Sequence, residues 1–193
     1  MRFTLPGTAE KRRLLAILRR PPAEAAPLLL GQVLLRRRGR SVMAARLVEV
    51  EAYLGDGDPA AHAASGRTAR TEPLFGPPGT LYVYFVYGMH HCLNLAVERP
   101  GVPGCVLVRA AEPLPDTRLG PRALAGPGRL CRALGLDTRH SGLHLFHPRA
   151  GLTLREGAPP REIAVSSRIG IRHAAERPLR FFDPASASLS RRI

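Results

Sequence analysis

The chain has no tryptophan, a single lysine (Lys11), and only 5% aromatic residues. Its three cysteines, Cys92, Cys105 and Cys131, are too widely spaced for a zinc knuckle, and no Cys-x-x-Cys pair occurs. So sparse and odd a count reads as reduced thiols in a cytoplasmic protein, nucleoid-associated if bacterial. His90 and His91 adjoin Cys92, but a tetrahedral site needs spread ligands, so no metal and no cofactor is expected. No apolar run approaches the ~18 to 20 residues of a membrane span. Met1 to Lys11 has no apolar stretch leading to a small-residue cleavage site, so neither a secretion signal nor a membrane partner is expected.

Acidic residues are also scarce. Asp plus Glu is 15 against 29 for Lys plus Arg, a formal net charge of +14. GC-rich codons account for arginine over lysine but not for basic over acidic. An excess of this kind speaks of a polyanionic partner, nucleic acid before acidic membrane. The 193 residues, 45% hydrophobic and 23% charged, suit one folded domain that buries a core without disulfides. No internal repeat or linker occurs.

The pattern along the chain is mixed. Residues 1–26 form a basic Pro/Arg-rich arm, in which Leu14, Leu15 and Leu18 share one face of a short helix over Lys11 to Arg20. The prolines beyond it are expected to break that helix. Arg36 to Arg40 reads as a solvated turn. From Ala45, apolar Val48, Val50, Ala52 and Leu54 alternate with Leu47, Glu49, Glu51 and Tyr53, a strand with one polar face. Leu81 to Tyr87 and His91 to Val97 form a hairpin about Gly88, and Gly104 to Ala110 is a third strand. Gly128 to Leu136 reads as a helix with Leu130, Ala133 and Leu134 inward. Leu152 to Arg155, Ile163 to Ile171 and Pro178 to Phe182 complete the pattern. The expected fold is α+β, a single mixed domain (27–193) with a curved antiparallel sheet and a protruding hairpin, flanked by helices.

Two features could carry chemistry. Glu49 and Glu51 share a strand face, and Tyr53 continues the row towards His62. A lone glutamate there could simply balance arginines on a solvated face; two beside an aromatic ring and an imidazole suggest a cleft. The four tyrosines are Tyr53, Tyr82, Tyr84 and Tyr87. Three lie in one strand, which could be an aromatic core strand, but Tyr87 stands at the hairpin tip. An exposed ring among arginines suits base stacking or wedging into a duplex.

Several ordered runs carry a resemblance. They are Gly31-Gln32-Val33-Leu34, Val48-Glu49-Val50-Glu51-Ala52-Tyr53-Leu54-Gly55, Ala61-His62, Pro78-Gly79-Thr80-Leu81-Tyr82-Val83-Tyr84, Tyr87-Gly88-Met89 and Asn94. Val106-Leu107-Val108-Arg109-Ala110, Glu112-Pro113-Leu114, Gly126-Pro127-Gly128-Arg129-Leu130-Cys131 and Arg168-Ile169-Gly170-Ile171 follow in order. From Pro27 to Phe182 the chain resembles the alkyladenine (3-methyladenine) DNA glycosylase family.

The resemblance implies a base-excision enzyme acting on double-stranded DNA that contains a damaged purine, and a monomer is expected. It assigns Glu51 as the general base that activates water, with Arg109 and the main chain at Ile169 helping to hold that water. Tyr53 and His62 match one side of a base pocket and Tyr84 the other. Asn94 matches the residue that clashes with the amino group of guanine, and Tyr87 the residue that fills the gap left by the base. Arg67, Arg70, Met89 and His90 are expected to touch DNA. There are departures. Thr68-Ala69-Arg70-Thr71 lacks a proline and an asparagine common in the family, Met89 is followed by His90 where some relatives carry an aromatic, and Leu114 to Gly126 is short where relatives can have a helix. Two other readings stand beside this one. A non-catalytic nucleic-acid-binding module would use Tyr84 and Tyr87 as stacking platforms, and a small-sugar hydrolase would use Glu49 and Glu51 as an acid/base pair.

Overall fold

The computed structural model describes residues 4–117 and 119–191. Helices α1 (Thr8–Leu18) and α2 (Pro22–Leu29) precede strands β1 (Val33–Arg38) and β2 (Ser41–Tyr53). The hairpin β3 (Leu81–Val86) and β4 (His90–Ala96) leads to β5 (Cys105–Pro113) and α3 (Pro127–Leu134). Short strands β6 (Leu152–Arg155), β7 (Ala164–Ser166) and β8 (Arg180–Phe182) follow. Every pairing is antiparallel, and the sheet runs β3-β4-β5-β2-β1-β6. β5 takes one edge of β2, while β1 and β8 share the other edge, and β7 pairs with β8. The curled sheet and its helices form the single mixed α+β domain expected from the pattern.

The first helix ends at Leu18, ahead of the prolines as expected, but the prolines also open a second helix. Pro22 occupies the first turn of α2, where its missing N–H costs nothing and its fixed φ is already helical. Leu14, Leu18, Ala25, Ala26 and Leu29 lie in the same cluster as Leu47, Val50, Ala52 and Leu93, so residues ahead of Pro27 contribute to the main core. The solvated turn also starts later than expected. β1 continues to Arg38, and Arg36 is only 7% exposed. Its guanidinium donates to the carbonyls of Leu134 (2.8 Å) and Ala150 (2.7 Å), satisfying an acceptor at the C-terminal end of α3 that would otherwise be orphaned. In α3 the buried set is Leu130, Cys131 and Leu134; Ala133 packs against the core from a partly buried position, and Cys131 joins the inward face unforeseen.

Strict alternation fails in β2 at one position. The pairing with β5 skips Val48 between Leu47 and Glu49, a β-bulge, and then skips Arg109 of β5 between Glu49 and Val50. Leu47, Val50 and Ala52 join the main core, whereas Val48 packs with Ala110, Phe182 and Leu189 in a second cluster. The bulge re-aims the end of the strand, so that Glu49, Glu51 and Tyr53 sit on the face opposite the main core. The expected strand Ile163 to Ile171 is cut to β7, which leaves Arg168 to Gly170 as a loop against that same face.

Candidate active site

Both acids on this face are fully buried, which removes the reading of a solvated, charge-balancing face. Glu51 accepts a hydrogen bond from the Ile169 N–H (2.7 Å), one from the Tyr53 hydroxyl (3.0 Å) and one from Arg109 (3.3 Å). Burial pushes its carboxyl above the usual range, and Arg109, the Ile169 N–H and the Tyr53 hydroxyl offset only part of that. Arg109 therefore opposes the burial penalty without overcoming it. Burial, reinforced by the Glu51 charge, raises the Tyr53 hydroxyl in turn, keeping it a protonated donor.

Glu49 is held differently. It accepts from Arg109 (3.1 Å), Arg180 (2.9 Å), the Ser190 hydroxyl (2.6 Å) and the Ser190 N–H (2.6 Å). Two carboxylates and two guanidiniums thus form a balanced buried set, with Arg109 bridging the acids. Neither acid lines the cleft, but of the partners of Glu49 only Arg109 does, whereas Glu51 is held by three lining groups, so Glu49 is the worse placed of the two to serve as the second acid of a sugar hydrolase.

The cleft in front of this set has a volume of about 510 Å³, ample for a purine. Tyr53, His62, Arg70, Tyr84, Tyr87, Asn94, Arg109 and Ile169 all line it, which brings eight of the expected residues to one place. Glu51 lies one layer behind, reached through Tyr53, Arg109 and Ile169. The His62 ring stands edge-on to Tyr84 at 4.5 Å and its Nδ1 lies 2.9 Å from the Tyr82 hydroxyl. Burial and the nearby Arg70 charge push the His62 pKa down, favouring the neutral imidazole. Asn94, 3% exposed, donates to the Tyr82 carbonyl (3.1 Å), and its Oδ1 faces the Cys105 thiol. Burial pushes that thiol up to about 12, leaving it protonated.

Tyr87 is 79% exposed at the hairpin tip, with φ +54° followed by Gly88 at +66° and a Met89 N–H to Val86 carbonyl bond. Two successive positive φ values match the type I′ pattern that fits a twisted hairpin. Met89, 70% exposed, shares the tip; His90 packs on Gly128 at the start of α3. Arg67 is outside the cleft, paired with Glu72 at 2.7 Å. Among the described residues, no group of three or more His, Cys, Asp or Glu side chains could hold a metal ion, and no helix is long and apolar enough to cross a membrane.

The sequence reading missed a second buried pair. Asp58 and Arg168 are both fully buried and bonded twice, at 2.6 and 2.8 Å, and Arg168 also donates to the Ala52 carbonyl. The Arg168 guanidinium lies 4.6 Å from the centre of the Tyr53 ring. Burial pushes the Asp58 carboxyl up, but Arg168 and the N–H groups of Leu54 and Ala60 outweigh it and hold it below the usual range. This pair anchors the loop that aims the Ile169 N–H at Glu51. An acid in a Gly-rich turn reads as solvated, and nothing local in the sequence marks it as buried.

Comparison with known proteins agrees with this geometry. The family model for methylpurine-DNA glycosylase matches residues 16–187, starting within α1. A protein of Koribacter versatilis named "Putative 3-methyladenine DNA glycosylase" is 43% identical over 188 residues, covering 91% of each chain. One of the same name from Myxococcus xanthus is 48% identical over 157 residues, covering 80% of this chain and 79% of its own. A buried, hydrogen-bonded glutamate behind an aromatic cleft, together with a match spanning nearly the whole chain, places the protein in the methylpurine-DNA glycosylase family, as a DNA glycosylase hydrolase.

Proposed function

We propose that the protein flips an alkylated or deaminated purine out of duplex DNA and hydrolyses its N-glycosidic bond, leaving the abasic strand uncut. The observation that carries this reading is Glu51, held by the Ile169 N–H, Tyr53 and Arg109 directly behind a purine-sized aromatic cleft. A base inside the stack is out of reach, and extrusion costs a few kcal/mol, less for a mispaired lesion. Tyr53, His62 and Tyr84 supply the aromatic walls of the base pocket, and His62 and Tyr84, edge-on at 4.5 Å, must part to admit the base between them, while Asn94 excludes the amino group of guanine. Tyr87 fills the vacated gap, and Arg67, Arg70, Met89 and His90 grip the DNA around it.

In the hydrolytic step water bonds to C1′, the C1′–N bond breaks with its electron pair going to the base, and Glu51 takes the water proton. A water replacing the Tyr53 hydroxyl on Glu51 would be held by the carboxylate that deprotonates it. The same negative charge stabilises the oxocarbenium-like transition state. An N-alkylated purine is already cationic and leaves without an acid; hypoxanthine needs a proton. Lyase chemistry commonly needs an amine. The only lysine, Lys11, lies in α1 and does not line the cleft; the terminal amine of Met1 is outside the described residues.

The match to methylpurine-DNA glycosylases, enzymes by name, does not favour the non-catalytic reading. Incubation with duplexes carrying a single hypoxanthine, ethenoadenine or 7-methylguanine tests the proposal: free base and alkali-labile abasic sites are expected, and intact strands throughout would sink it. Tyr87→Ala should slow excision from a duplex by roughly 10-fold or more and from a single strand much less, since only the duplex has a gap to fill. Alanine is as disfavoured as tyrosine at φ +54°, so the turn is equally strained in both proteins. Equal losses on the two substrates would remove the wedge role.

A further inference from the structure

The charged side chains lining the cleft are arginines. Arg70, Arg109 and Arg172 line it together with His62 and His173, and no aspartate or glutamate does. Arg109 is balanced by Glu49 and Glu51 behind it. Arg70 is different: among the described residues no ion pair holds it. Its guanidinium lies 5.7 Å from the centre of the Tyr84 ring, within reach of cation–π attraction.

The placement is built rather than incidental. Arg70 sits in a loop braced by Thr68 and Thr71, whose hydroxyls accept each other's backbone N–H at 2.8 and 3.2 Å. The Thr71 hydroxyl also donates to the Gly66 carbonyl at 3.0 Å, and Thr71 is only 4% exposed. The loop therefore delivers Arg70 to the cleft mouth. The Arg70 charge is also felt within the aromatic cluster, where it adds to burial in lowering the His62 pKa.

A cationic guanidinium against Tyr84 holds the kind of contact that an alkylated, cationic purine would seek. Such a base must displace it or lie beside a like charge, whereas a neutral base such as hypoxanthine meets neither cost. Resting on the proposed base-excision reading, we infer that Arg70 is a specificity-determining residue, whose guanidinium at the mouth of the cleft shifts selection from cationic towards neutral purine lesions. A phosphate contact by the same side chain would act on all lesions equally, so the two roles separate in a ratio.

The experiment compares kcat/KM for 7-methylguanine and hypoxanthine in one duplex sequence, for the wild-type protein, Arg70→Gln and Arg70→Lys. Arg70→Gln removes the charge and should raise the 7-methylguanine to hypoxanthine ratio by about 5-fold, the scale of one exposed cation–π contact. Arg70→Lys keeps the charge and should leave the ratio within about 2-fold of wild type. A ratio that Arg70→Gln raises less than about 3-fold, even with both rates lowered, reduces Arg70 to a phosphate contact and overturns the inference. A rise of the same size in Arg70→Lys overturns it too, because charge would not then be the cause. A wild-type protein that releases neither base overturns the base-excision reading itself, and this one with it.

Discussion

Glu51→Gln should abolish excision while leaving binding to lesion-containing DNA intact or tighter. The amide keeps the shape of the carboxylate but cannot take a proton from water, and it removes the negative charge that faces the developing oxocarbenium. Loss of a general base typically costs 10² to 10⁴-fold, so a fall on the order of 10³-fold or more is expected once the lost charge is included. Folding should change little, because two effects oppose. The Glu51 pKa is raised in the folded protein, so ionising the carboxyl opposes folding as pH rises. The same charge is the strongest influence favouring the buried Arg109 guanidinium, and Tm at neutral pH should stay near that of wild type. Glu49→Gln is the internal control, with the reverse pattern. It should retain excision within about 10-fold but lose about 1–3 kcal/mol of stability, because Glu49 alone gathers Arg180 and Ser190. Single-turnover excision, gel shift and thermal melts distinguish the two. An active Glu51→Gln protein, or an inactive Glu49→Gln protein, would show that the roles of the two acids are misassigned.

Asp58→Ala should be the most damaging substitution for the fold around the cleft. It leaves the fully buried Arg168 guanidinium without its partner, and breaking a buried ion pair from one side typically costs about 3–5 kcal/mol. The native carboxyl has a depressed pKa, so its contribution is present above the unfolded aspartate pKa and is lost as pH falls through the lower folded value. Wild type and Asp58→Ala should therefore differ in stability at neutral pH and converge in acid. Catalysis should fall as well, roughly 10²-fold in the molecules that remain folded, because Arg168 fixes both the Ile169 N–H and the Tyr53 ring against Glu51. Urea melts in a series of falling pH from 7, across and below the ordinary aspartate range, read the first effect and single-turnover rates the second. A variant with normal stability and rate would show that the pair neither holds the loop nor positions the site.

The legible and illegible parts of this molecule divide along a physical line. Strands with strong β-branched and aromatic content, such as Leu81–Val86, and the helix about Leu130 can be read from periodicity, because they depend on local pattern. The face on which Leu47 and Val48 lie could not be read. The bulge at Val48 arises from pairing with β5, and alternation carries no sign of an extra residue. The cleft residues Tyr53, His62, Tyr84, Asn94 and Arg109 came from an ordered set of motifs, not from spacing, since they lie on β2, a turn, β3, β4 and β5 and meet only in three dimensions. Asp58, Arg180 and Ser190 escaped because charged and hydroxyl side chains default to solvent in any sequence reading. Their placement here depends on partners more than 100 residues away in all three cases. Arg36 escaped for the same reason, its guanidinium being spent on carbonyls of α3 and of the segment before β6.

The central claim is that buried Glu51 is the base that activates water, and the pH dependence of single-turnover hypoxanthine excision tests it most directly. A base works only when deprotonated, so below its pKa the rate should fall about tenfold for each pH unit. Because burial raises the Glu51 pKa, that acid limb should turn above the pH at which an ordinary exposed glutamate titrates. The residual rate of Glu51→Gln should show no such limb. A wild-type rate that stays flat from neutral pH down through the glutamate range, or an acid limb that survives unchanged in Glu51→Gln, would contradict the assignment of Glu51 as the base.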